Sequence, residues 1–354
     1  MKKNFLLVSL LTLVVIKAWS QNDDASRLAA IVMAEEDSTK TWATGGGIGA
    51  DLGNILIINP KPGSGQNRIG FGGAIGFFAN HLKNRFSWDN NVSLNFAVEK
   101  TGSGILPIPN AKIRIPFKKS IDDLRLNSTA GYKVSANSQF SYAADLAFRS
   151  QFTPAYIGVE DGQIYTKSIQ NLGPYRNYLV SQFFSPARAS FGLGMKYDPT
   201  PVFSVVFTPA TADVIIIENQ YIANLGLHGT ELKEGSTTEY EKTRLGIGAK
   251  LSIKYMQNFF DEKLAWSSRL SLFSDYMHDP QNVDVDWTNE LAFTIFRNIQ
   301  FSYLSNLYYD DDILSHVTDF DAVGGLKRDS DGDPIVRSTI NYYHQIVLKY
   351  ARVF

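Results

Sequence analysis

The sequence alternates between apolar and polar residues over stretches that are unusually long for β-strands. In residues 86–99 the even positions include Phe86, Trp88, Val92 and Leu94, while no odd position carries a large hydrophobe. Successive side chains of a strand point to opposite faces, so one face of this segment meets an apolar phase and the other meets water. Residues 263–276 and 283–296 repeat the pattern.

Twelve segments of about 8 to 17 residues show this alternation in stronger or weaker form, whereas strands of soluble proteins average about 5 to 6 residues. The segments are residues 42–52, 68–81, 86–99, 122–135, 139–152, 186–198, 201–208, 243–256, 263–276, 283–296, 299–309 and 338–354. An even number of long strands fits a closed barrel, in which every backbone polar group is paired as a bilayer requires.

The connections between these segments alternate in length. Long ones lie near residues 53–67, 100–121, 153–185, 209–242 and 310–337, with a shorter one at 277–282, and the others are tight turns. Outer-membrane barrels have short periplasmic turns and longer outer loops. We therefore predict an all-β fold for residues 41–354, a closed antiparallel transmembrane β-barrel of about 12 strands with long extracellular loops and both termini in the periplasm.

Two structural alternatives stay open. A secreted β-sandwich or solenoid shares the alternation, although its strands are usually shorter and its loops more even. Within residues 209–242, the stretches Val214–Ile217 and Ile222–Leu227 have the pattern of short strands, which form either a hairpin in an outer loop or additional barrel strands.

The first twenty residues have the three parts of a secretory signal peptide. Lys2 and Lys3 precede an apolar run from Phe5 to Ile16, and Ala18 and Ser20 are the small residues before a predicted cut. We therefore expect export through the Sec pathway to the outer membrane. Residues 21–40 would then be a periplasmic tether or a short plug that enters the lumen.

Composition excludes several classes of function. The chain has no cysteine, which rules out disulfides, thiolate metal sites and a cysteine nucleophile. Its formal net charge of −1 argues against a nucleic-acid partner. The expected partners are outer-membrane lipids and, during assembly, the barrel-insertion machinery.

The polar face of the predicted strands carries charges of both signs. The residues assigned to the lumen are Arg125, Lys133, Arg149, Arg188, Lys196, Arg244, Lys250, Arg269, Asp145, Asp284, Asp286 and Glu290. These groups either line a narrow aqueous passage or pair with one another and close it. A barrel of twelve strands lies between the eight-stranded type, which side chains fill, and the sixteen-stranded type, which leaves a channel. Strand number alone therefore does not decide whether the lumen is open.

Candidate sites for metal binding or catalysis are few. Asp329, Asp331 and Asp333 with Gly332 resemble the start of a calcium loop, but an acidic turn uses the same residues. No other cofactor is indicated. The histidines show no metal-ligand spacing, and no G-x-S-x-G motif is present, so a barrel hydrolase is the least favoured alternative and we expect no enzyme.

The last strand ends on Phe354, preceded by alternating Tyr350, Leu348 and Ile346, which resembles the carboxy-terminal signal read by the barrel-insertion machinery. Arg352 departs from that pattern, because the position is usually apolar.

Several ordered motifs carry a wider resemblance. They are Thr41-Trp42-Ala43-Thr44-Gly45-Gly46, Ser185-Pro186, Gly192-Leu193-Gly194-Met195-Lys196-Tyr197, Phe207-Thr208-Pro209, Leu272-Phe273-Ser274-Asp275-Tyr276, Asn282-Val283-Asp284-Val285-Asp286-Trp287 and Tyr308-Tyr309-Asp310-Asp311-Asp312. Together they resemble an uncharacterised outer-membrane β-barrel family of Bacteroidota, the domain of unknown function 3078. The resemblance implies a bacterial outer-membrane barrel and brings no assigned activity and no catalytic residues.

From these observations we expect a non-enzymatic pore or transport barrel for small polar solutes. The alternative is a structural or partner-binding barrel that acts through its outer loops at residues 153–185, 209–242 and 310–337.

Overall fold

The computed structural model describes residues 41–55, 68–101, 115–158, 163–169, 177–261, 263–296, 299–317, 319, 327–333 and 335–353. Within these residues the chain forms strands and one short helix. The elements in chain order are β1 (Trp42–Ile55), β2 (Arg68–Lys83), β3 (Phe86–Thr101), β4 (Lys118–Lys133), β5 (Phe140–Ser150), β6 (Ala155–Gly158), β7 (Ile164–Tyr165), β8 (Asn177–Ser181), β9 (Ala187–Thr200), β10 (Phe203–Ile216), α1 (Gln220–Ala223), β11 (Thr243–Phe259), β12 (Leu264–Asp275), β13 (Asp284–Phe296), β14 (Ile299–Tyr309), β15 (Leu314–His316), β16 (Val336–Ser338) and β17 (Asn341–Val353).

Twelve of these strands form one ring in the order β1, β2, β3, β4, β5, β9, β10, β11, β12, β13, β14 and β17. Every neighbouring pair is antiparallel. The ring closes where β1 pairs with β17, with Ile48 opposite Tyr350. The predicted closed antiparallel barrel of twelve strands is therefore confirmed.

The two faces of each barrel strand differ as the alternation predicted. On β13, Phe293 and Ile295 point outward and are 49% and 57% exposed, whereas Thr288 and Glu290 on the other face are buried. Ile48, Phe77, Phe191 and Leu245 extend the exposed apolar surface to other strands. Large exposed hydrophobes around a closed ring, with polar side chains inside, are the arrangement of a transmembrane barrel. Among the described residues, no helix has the length and apolar character needed to cross a bilayer.

The two ends of the barrel differ. At one end the strands join through short connections, such as Asn84–Arg85 and residues 201–202; we call it the short-turn end. At the other, the long-loop end, residues 151–186 and 217–242 intervene between barrel strands. Part of this chain folds over the rim, because β7 pairs with β4 at Lys118 and carries β6 and β8 beside it.

We call β6, β7, β8, α1 and residues 217–242 the cap. It has an apolar core of its own, in which Ile215 at the end of β10 packs with Ile217, Ile222 and Ala223. A second cluster joins Ala155, Ile157 and Val180 to partly buried side chains of the same region, namely Ile164, Tyr178, Leu225 and Leu227. The cap is thus a packed unit attached to the long-loop end.

The prediction that Val214–Ile217 forms a separate short strand is wrong. β10 continues from Phe203 to Ile216, and its register with β11 shifts between Thr208 and Thr211. Pro209, which lacks an N–H, lies in this irregularity, and Thr211 Oγ1 donates to the Thr208 carbonyl at 2.9 Å. A bulge lets the strand pass the proline, so this stretch extends a barrel strand instead of adding one.

The stretch Ile222–Leu227, which also had the pattern of a strand, begins within α1. The side chain of Asn219 accepts a hydrogen bond from the Tyr221 N–H at 3.0 Å and so caps the helix. Ile222 and Ala223 are buried by the cap core, which holds this stretch in the helical turn.

Three predictions fall outside the described residues. They are the signal peptide at residues 1–20, the tether or plug at residues 21–40, and the terminal Phe354 of the assembly signal. The backbone of Tyr350 is described and pairs with Ile48 and Ile299.

Candidate functional site: the charged lumen

A layer of ion pairs crosses the lumen in its long-loop half. Arg125 on β4 contacts Asp123 through Nε at 2.6 Å and Asp286 on β13 through Nη1 at 3.2 Å. Around the ring, β4 and β13 lie six steps apart in either direction, through β5, β9, β10, β11 and β12 or through β3, β2, β1, β17 and β14. The Arg125–Asp286 pair therefore joins opposite walls of the barrel.

Arg149 on β5 and Arg188 on β9 extend this layer. Arg149 Nε donates to Asp123 at 2.7 Å, and its guanidinium lies 5.3 Å from the ring centre of Tyr308. Arg188 contacts Asp310, which is 1% exposed, and it also lies 3.6 Å from Asp213. The Tyr308 hydroxyl donates to Asp310 at 2.9 Å, so the carboxylate is held from two sides.

Arg244 on β11 connects the layer to the loops. Its guanidinium contacts Asp312, lies 3.6 Å from Asp275 on β12 and donates to the Gly229 carbonyl of the cap at 3.3 Å. The space between Arg188, Arg244 and the surrounding carboxylates amounts to about 20 Å³. This is room for about one water molecule at this point of the layer. We call the residues of this layer the ion-pair layer: Arg125, Arg149, Arg188, Arg244, Asp123, Asp213, Asp275, Asp284, Asp286, Asp310 and Asp312.

In the middle and the short-turn half of the lumen, the cations that make ion pairs are lysines. Lys250 on β11 reaches Asp145 on β5 at 2.9 Å, and the two residues are 105 positions apart in sequence. Lys196 on β9 lies 3.4 Å from Asp89 on β3 and 3.2 Å from Asp198. The Lys250–Asp145 and Lys196–Asp89 contacts also reach across several strands, so they can form only inside the ring.

The structure places the other sequence-assigned lumen residues as follows. Asp284 lies 3.7 Å from Arg188, within the ion-pair layer. Glu290 is 1% exposed on β13, and Lys133 lies half-buried at the short-turn end of β4. Arg269 on β12 lies opposite Lys254 on β11.

The sequence did not reveal every member of the ion-pair layer. Asp213 belongs to the part of β10 that was predicted to be a loop. The alternate positions Thr211, Asp213 and Ile215 continue one face of the strand, and this pattern could have placed Asp213 on the inner face. Asp310 and Asp312 follow the last residue of β14 and were considered only as the start of an acidic outer loop. Their contacts depend on the folding of the rim.

The predicted calcium loop has the geometry of an acidic turn. Asp329 Oδ1 accepts hydrogen bonds from the N–H groups of Asp331 and Asp333 at 3.0 and 2.9 Å, and Gly332 has a φ of 88°. Among the described residues, a group of three carboxylates with oxygens within 4.8 Å of one another is formed instead by Asp284, Asp310 and Asp311. Asp310 is already engaged by Arg188, and calcium binding stays a prediction.

The described histidine side chains do not form a catalytic triad with a serine. His278 contacts Asp275 through Nδ1 at 3.1 Å and Glu231 through Nε2 at 2.9 Å, so both ring nitrogens face carboxylates. His228 Nε2 lies 2.8 Å from the Val180 carbonyl, and since a carbonyl only accepts, this nitrogen carries the proton. His81 packs against Trp42.

Two titratable groups lie where the cap meets the barrel, outside the strands. Burial lowers the pKa of His228 below its ordinary value, because the cap disfavours a charged imidazolium. Burial raises the pKa of Asp312, although the guanidinium of Arg244 opposes this shift. Both groups therefore lie where a change of protonation would alter the charge at the contact between the cap and the barrel.

Comparison with solved structures returns outer-membrane barrels. The chain is 10% identical to an outer membrane channel from Pseudomonas putida F1, covering 91% of this chain and 98% of that one at a TM-score of 0.38. The translocator domain of the autotransporter NalP from Neisseria meningitidis is 8% identical (coverage 92% and 93%, TM-score 0.35). Outer membrane phospholipase A from Escherichia coli is 7% identical (coverage 93% and 98%, TM-score 0.30). At these values we transfer no activity to this chain.

No curated protein matches the sequence significantly. The strand pairings and the apolar outer face make the chain an outer-membrane β-barrel. A family model described as a protein of unknown function, DUF3078, matches residues 61–156. The matched residues include β2 to β5. The motifs that carry the wider resemblance, at residues 41–46 and from residue 185 onward, lie outside the match. The match confirms the predicted relation to the domain of unknown function 3078 over residues 61–156.

Proposed function

We propose that this chain is a non-enzymatic transport barrel for small polar solutes, whose passage the ion-pair layer holds closed in the conformation described. The observation that carries the proposal is the charged lumen. A barrel that served only as a scaffold could fill its interior with well-packed apolar side chains, because burying charges is costly unless they are paired. This chain instead keeps arginines and aspartates in the lumen and pairs them across it.

In this proposal the protein is exported through the Sec pathway and inserted by the barrel-insertion machinery, with outer-membrane lipids against its apolar face. Both termini and the short turns lie in the periplasm, and the cap lies at the cell surface. The alternating lengths of the connections support this orientation, because outer-membrane barrels carry their longer loops outside.

Conductance in planar lipid bilayers tests the proposal. The double variant Arg125→Gln, Asp286→Asn removes a pair that joins opposite walls, so we expect it to open more often or conduct more than the wild type. A matched control, Lys233→Gln with Glu239→Gln, removes an ion pair of 3.0 Å in the cap and should leave conductance unchanged. Absence of conductance in both the wild type and the Arg125, Asp286 variant would contradict a transport role.

The packed cap favours one alternative, a structural or partner-binding barrel that acts through its outer loops. Its apolar core includes Ile217 and Ile222, which are fully buried, so the loops present a defined surface. A partner that co-purifies in stoichiometric amount from native membranes, and that is lost when residues 217–242 are replaced by a short linker, would support this alternative.

A hydrolase is the remaining alternative, and lipid-hydrolysis assays test it directly. Loss of a measurable lipase activity on replacing one of the five histidines by alanine would favour an enzyme. The carboxylate contacts of both His278 nitrogens argue against that residue as a catalytic base for serine.

A further inference from the structure

Two positive side chains face each other in the lumen, and neither is in direct contact with a carboxylate that the structure describes. Lys254 on β11 and Arg269 on β12 are directly paired residues of neighbouring strands. Directly opposite residues of neighbouring antiparallel strands have Cβ atoms about 5 Å apart, and two like charges at such positions destabilise the sheet. Neither side chain makes a hydrogen bond or an ion pair with any residue that the structure describes.

Both side chains belong to the inner face. Lys254 is four positions along β11 from Lys250, which reaches Asp145 on the far side of the lumen. Arg269 is two positions along β12 from Ser267, which is 2% exposed, so both lie on the same face. The neighbouring residue Trp266 lies on the outer surface. The pair therefore lies in the lumen, nearer to the short-turn end than the ion-pair layer.

The nearby carboxylates have other cations as their closest partners. Asp89 and Asp198 both contact Lys196, and Asp145 contacts Lys250. Glu290 lies diagonally from Arg269, since it is the direct partner of Ser267 on β13. Lys196 adds a further positive charge within electrostatic reach of Lys254, and Asp89 and Asp198 act on Lys254 with the opposite sign without contacting it. No described carboxylate thus neutralises Lys254 or Arg269 by direct contact.

An independent observation indicates a polar ligand at the same place. The Ser267 hydroxyl is buried and has no hydrogen-bond partner among the residues that the structure describes. It lies on the same face as Arg269, about 7 Å away along the strand. Buried hydroxyls in proteins are usually hydrogen-bonded. An acceptor group between Arg269 and Ser267 would satisfy the hydroxyl and the guanidinium together.

We infer that Lys254, Arg269 and Ser267 form a binding site for the carboxylate or phosphate group of a small anionic solute. The guanidinium presents a planar fork that matches such a group in two hydrogen bonds, and the lysine adds a point charge. The inference rests on the proposed passage of solutes through the lumen and names their chemical class. The excess of aspartates in the ion-pair layer opposes anions from the long-loop end, so the solute reaches this site from the short-turn end.

Titration calorimetry on the full-length protein in detergent micelles tests the site without requiring transport. The probes are inorganic phosphate and citrate, with potassium chloride as the reference. We expect at least one probe to bind, and we expect Lys254→Gln with Arg269→Gln to weaken that binding by at least about tenfold, the effect of one lost charge-assisted hydrogen bond. Lys83→Gln, which removes an exposed charge at the short-turn end of β2, should bind as the wild type does.

Heat-dependent migration in gels confirms that each variant is folded, and the single variants Lys254→Gln and Arg269→Lys replace the double variant if it is not. Arg269→Lys keeps the charge and loses the fork, so we expect it to weaken binding less than Arg269→Gln. Binding of neither probe, or equal binding by wild type and folded variants, would overturn the inference.

A second readout separates this inference from the proposed function. In planar bilayers under a salt gradient, the wild type should prefer anions, and Lys254→Gln with Arg269→Gln should lose that preference. Binding without conductance would overturn the transport proposal and leave the anion site. Conductance with cation preference and no probe binding would overturn the anion site and leave transport.

Discussion

Single residues decide how the cap responds to pH and how closely the strands approach. His228 lies in the cap and donates Nε2–H to the Val180 carbonyl of β8 at 2.8 Å. Gly194 lies on β9 where the bulge of β10 brings the neighbouring backbone close, so that an added Cβ would collide with the Phe207 carbonyl and lie 2.7 Å from the Thr208 Cα. We therefore expect a single substitution at His228 to change the pH response of the cap, and one at Gly194 to change the stability of the barrel.

Acidification should loosen the cap through His228. Because burial lowers its pKa in the folded state below the ordinary 6.5, protonation favours the open cap. The stability that depends on neutral His228 is therefore present above 6.5 and is lost as the pH falls through the lowered pKa. Limited proteolysis should cut residues 217–242 faster at about pH 5 than at pH 7.5.

His228→Gln provides the control, since the amide keeps a donor for Val180 and does not titrate. We expect its proteolysis rate to change less with pH than that of the wild type. Equal pH dependence in both proteins would show that another group controls the cap.

Gly194→Ala should destabilise the barrel by about 1–3 kcal/mol, the usual cost of overpacking. Gly73→Ala on β2 is the matched control, because its Cβ would meet only the Gly49 carbonyl at 3.5 Å, which is ordinary contact. Urea unfolding in lipid vesicles measures both. Similar stability of the two variants would mean that β9 and β10 can separate at no cost.

At the scale of one strand, the two faces of β13 carry opposite environments. Leu291 lies near the middle of the strand and Ile295 near its short-turn end, and both are exposed outward. Glu290 and Ala292, the two sequence neighbours of Leu291, are buried. If lipid covers the outer face, the folding free energy lost on placing a charge there depends on the depth of the position in the bilayer. If water covers it, a charge at Leu291 and one at Ile295 should cost the same.

Leu291→Arg should therefore cost about 2–4 kcal/mol of folding free energy in vesicles, and Ile295→Arg only about 0–1 kcal/mol. Reversible unfolding monitored by tryptophan fluorescence compares the variants on one strand. Equal and small effects at both positions would support the soluble alternative and contradict a membrane-spanning strand.

Element boundaries show where reasoning from sequence succeeds and where it fails. The alternation located all twelve barrel strands because it reflects a local property, the face on which each side chain lies. It ended β10 too early at Pro209, because proline normally interrupts a ladder and a bulge cannot be recognised from one sequence. It assigned a strand to Ile222–Leu227, where the core of the cap selects a helical turn.

At the scale of the whole molecule, closure of the ring is the property that distinguishes a barrel from an open sheet. β1 and β17 come from opposite ends of the described chain, and Gly47 lies opposite Ala351. Paired residues of antiparallel strands have Cα atoms about 4.5–5.5 Å apart, a separation that a disulfide can span. The chain has no cysteine, so introduced pairs are free of background.

Gly47→Cys with Ala351→Cys should form a disulfide under mild oxidation in the folded protein, giving a faster-migrating band after denaturation without reductant. Gly47→Cys with Ser302→Cys is the control, since Ser302 lies on β14, which pairs with β17 and not with β1. Efficient cross-linking of the control, or none in the Gly47, Ala351 pair, would contradict closure between β1 and β17.

The sequence by itself determined which side chains meet lipid and which face the lumen, because a period of two is set by the backbone of each strand alone. It also predicted about twelve strands and the alternation of short and long connections, whereas the tertiary structure decided that residues 209–242 add no barrel strand. Only the tertiary structure decided which charges meet. Arg125 and Asp286 are 161 residues apart in sequence and are in contact because the closed ring places β4 opposite β13. The same ring places Lys254 opposite Arg269, with no described carboxylate in direct contact with either side chain.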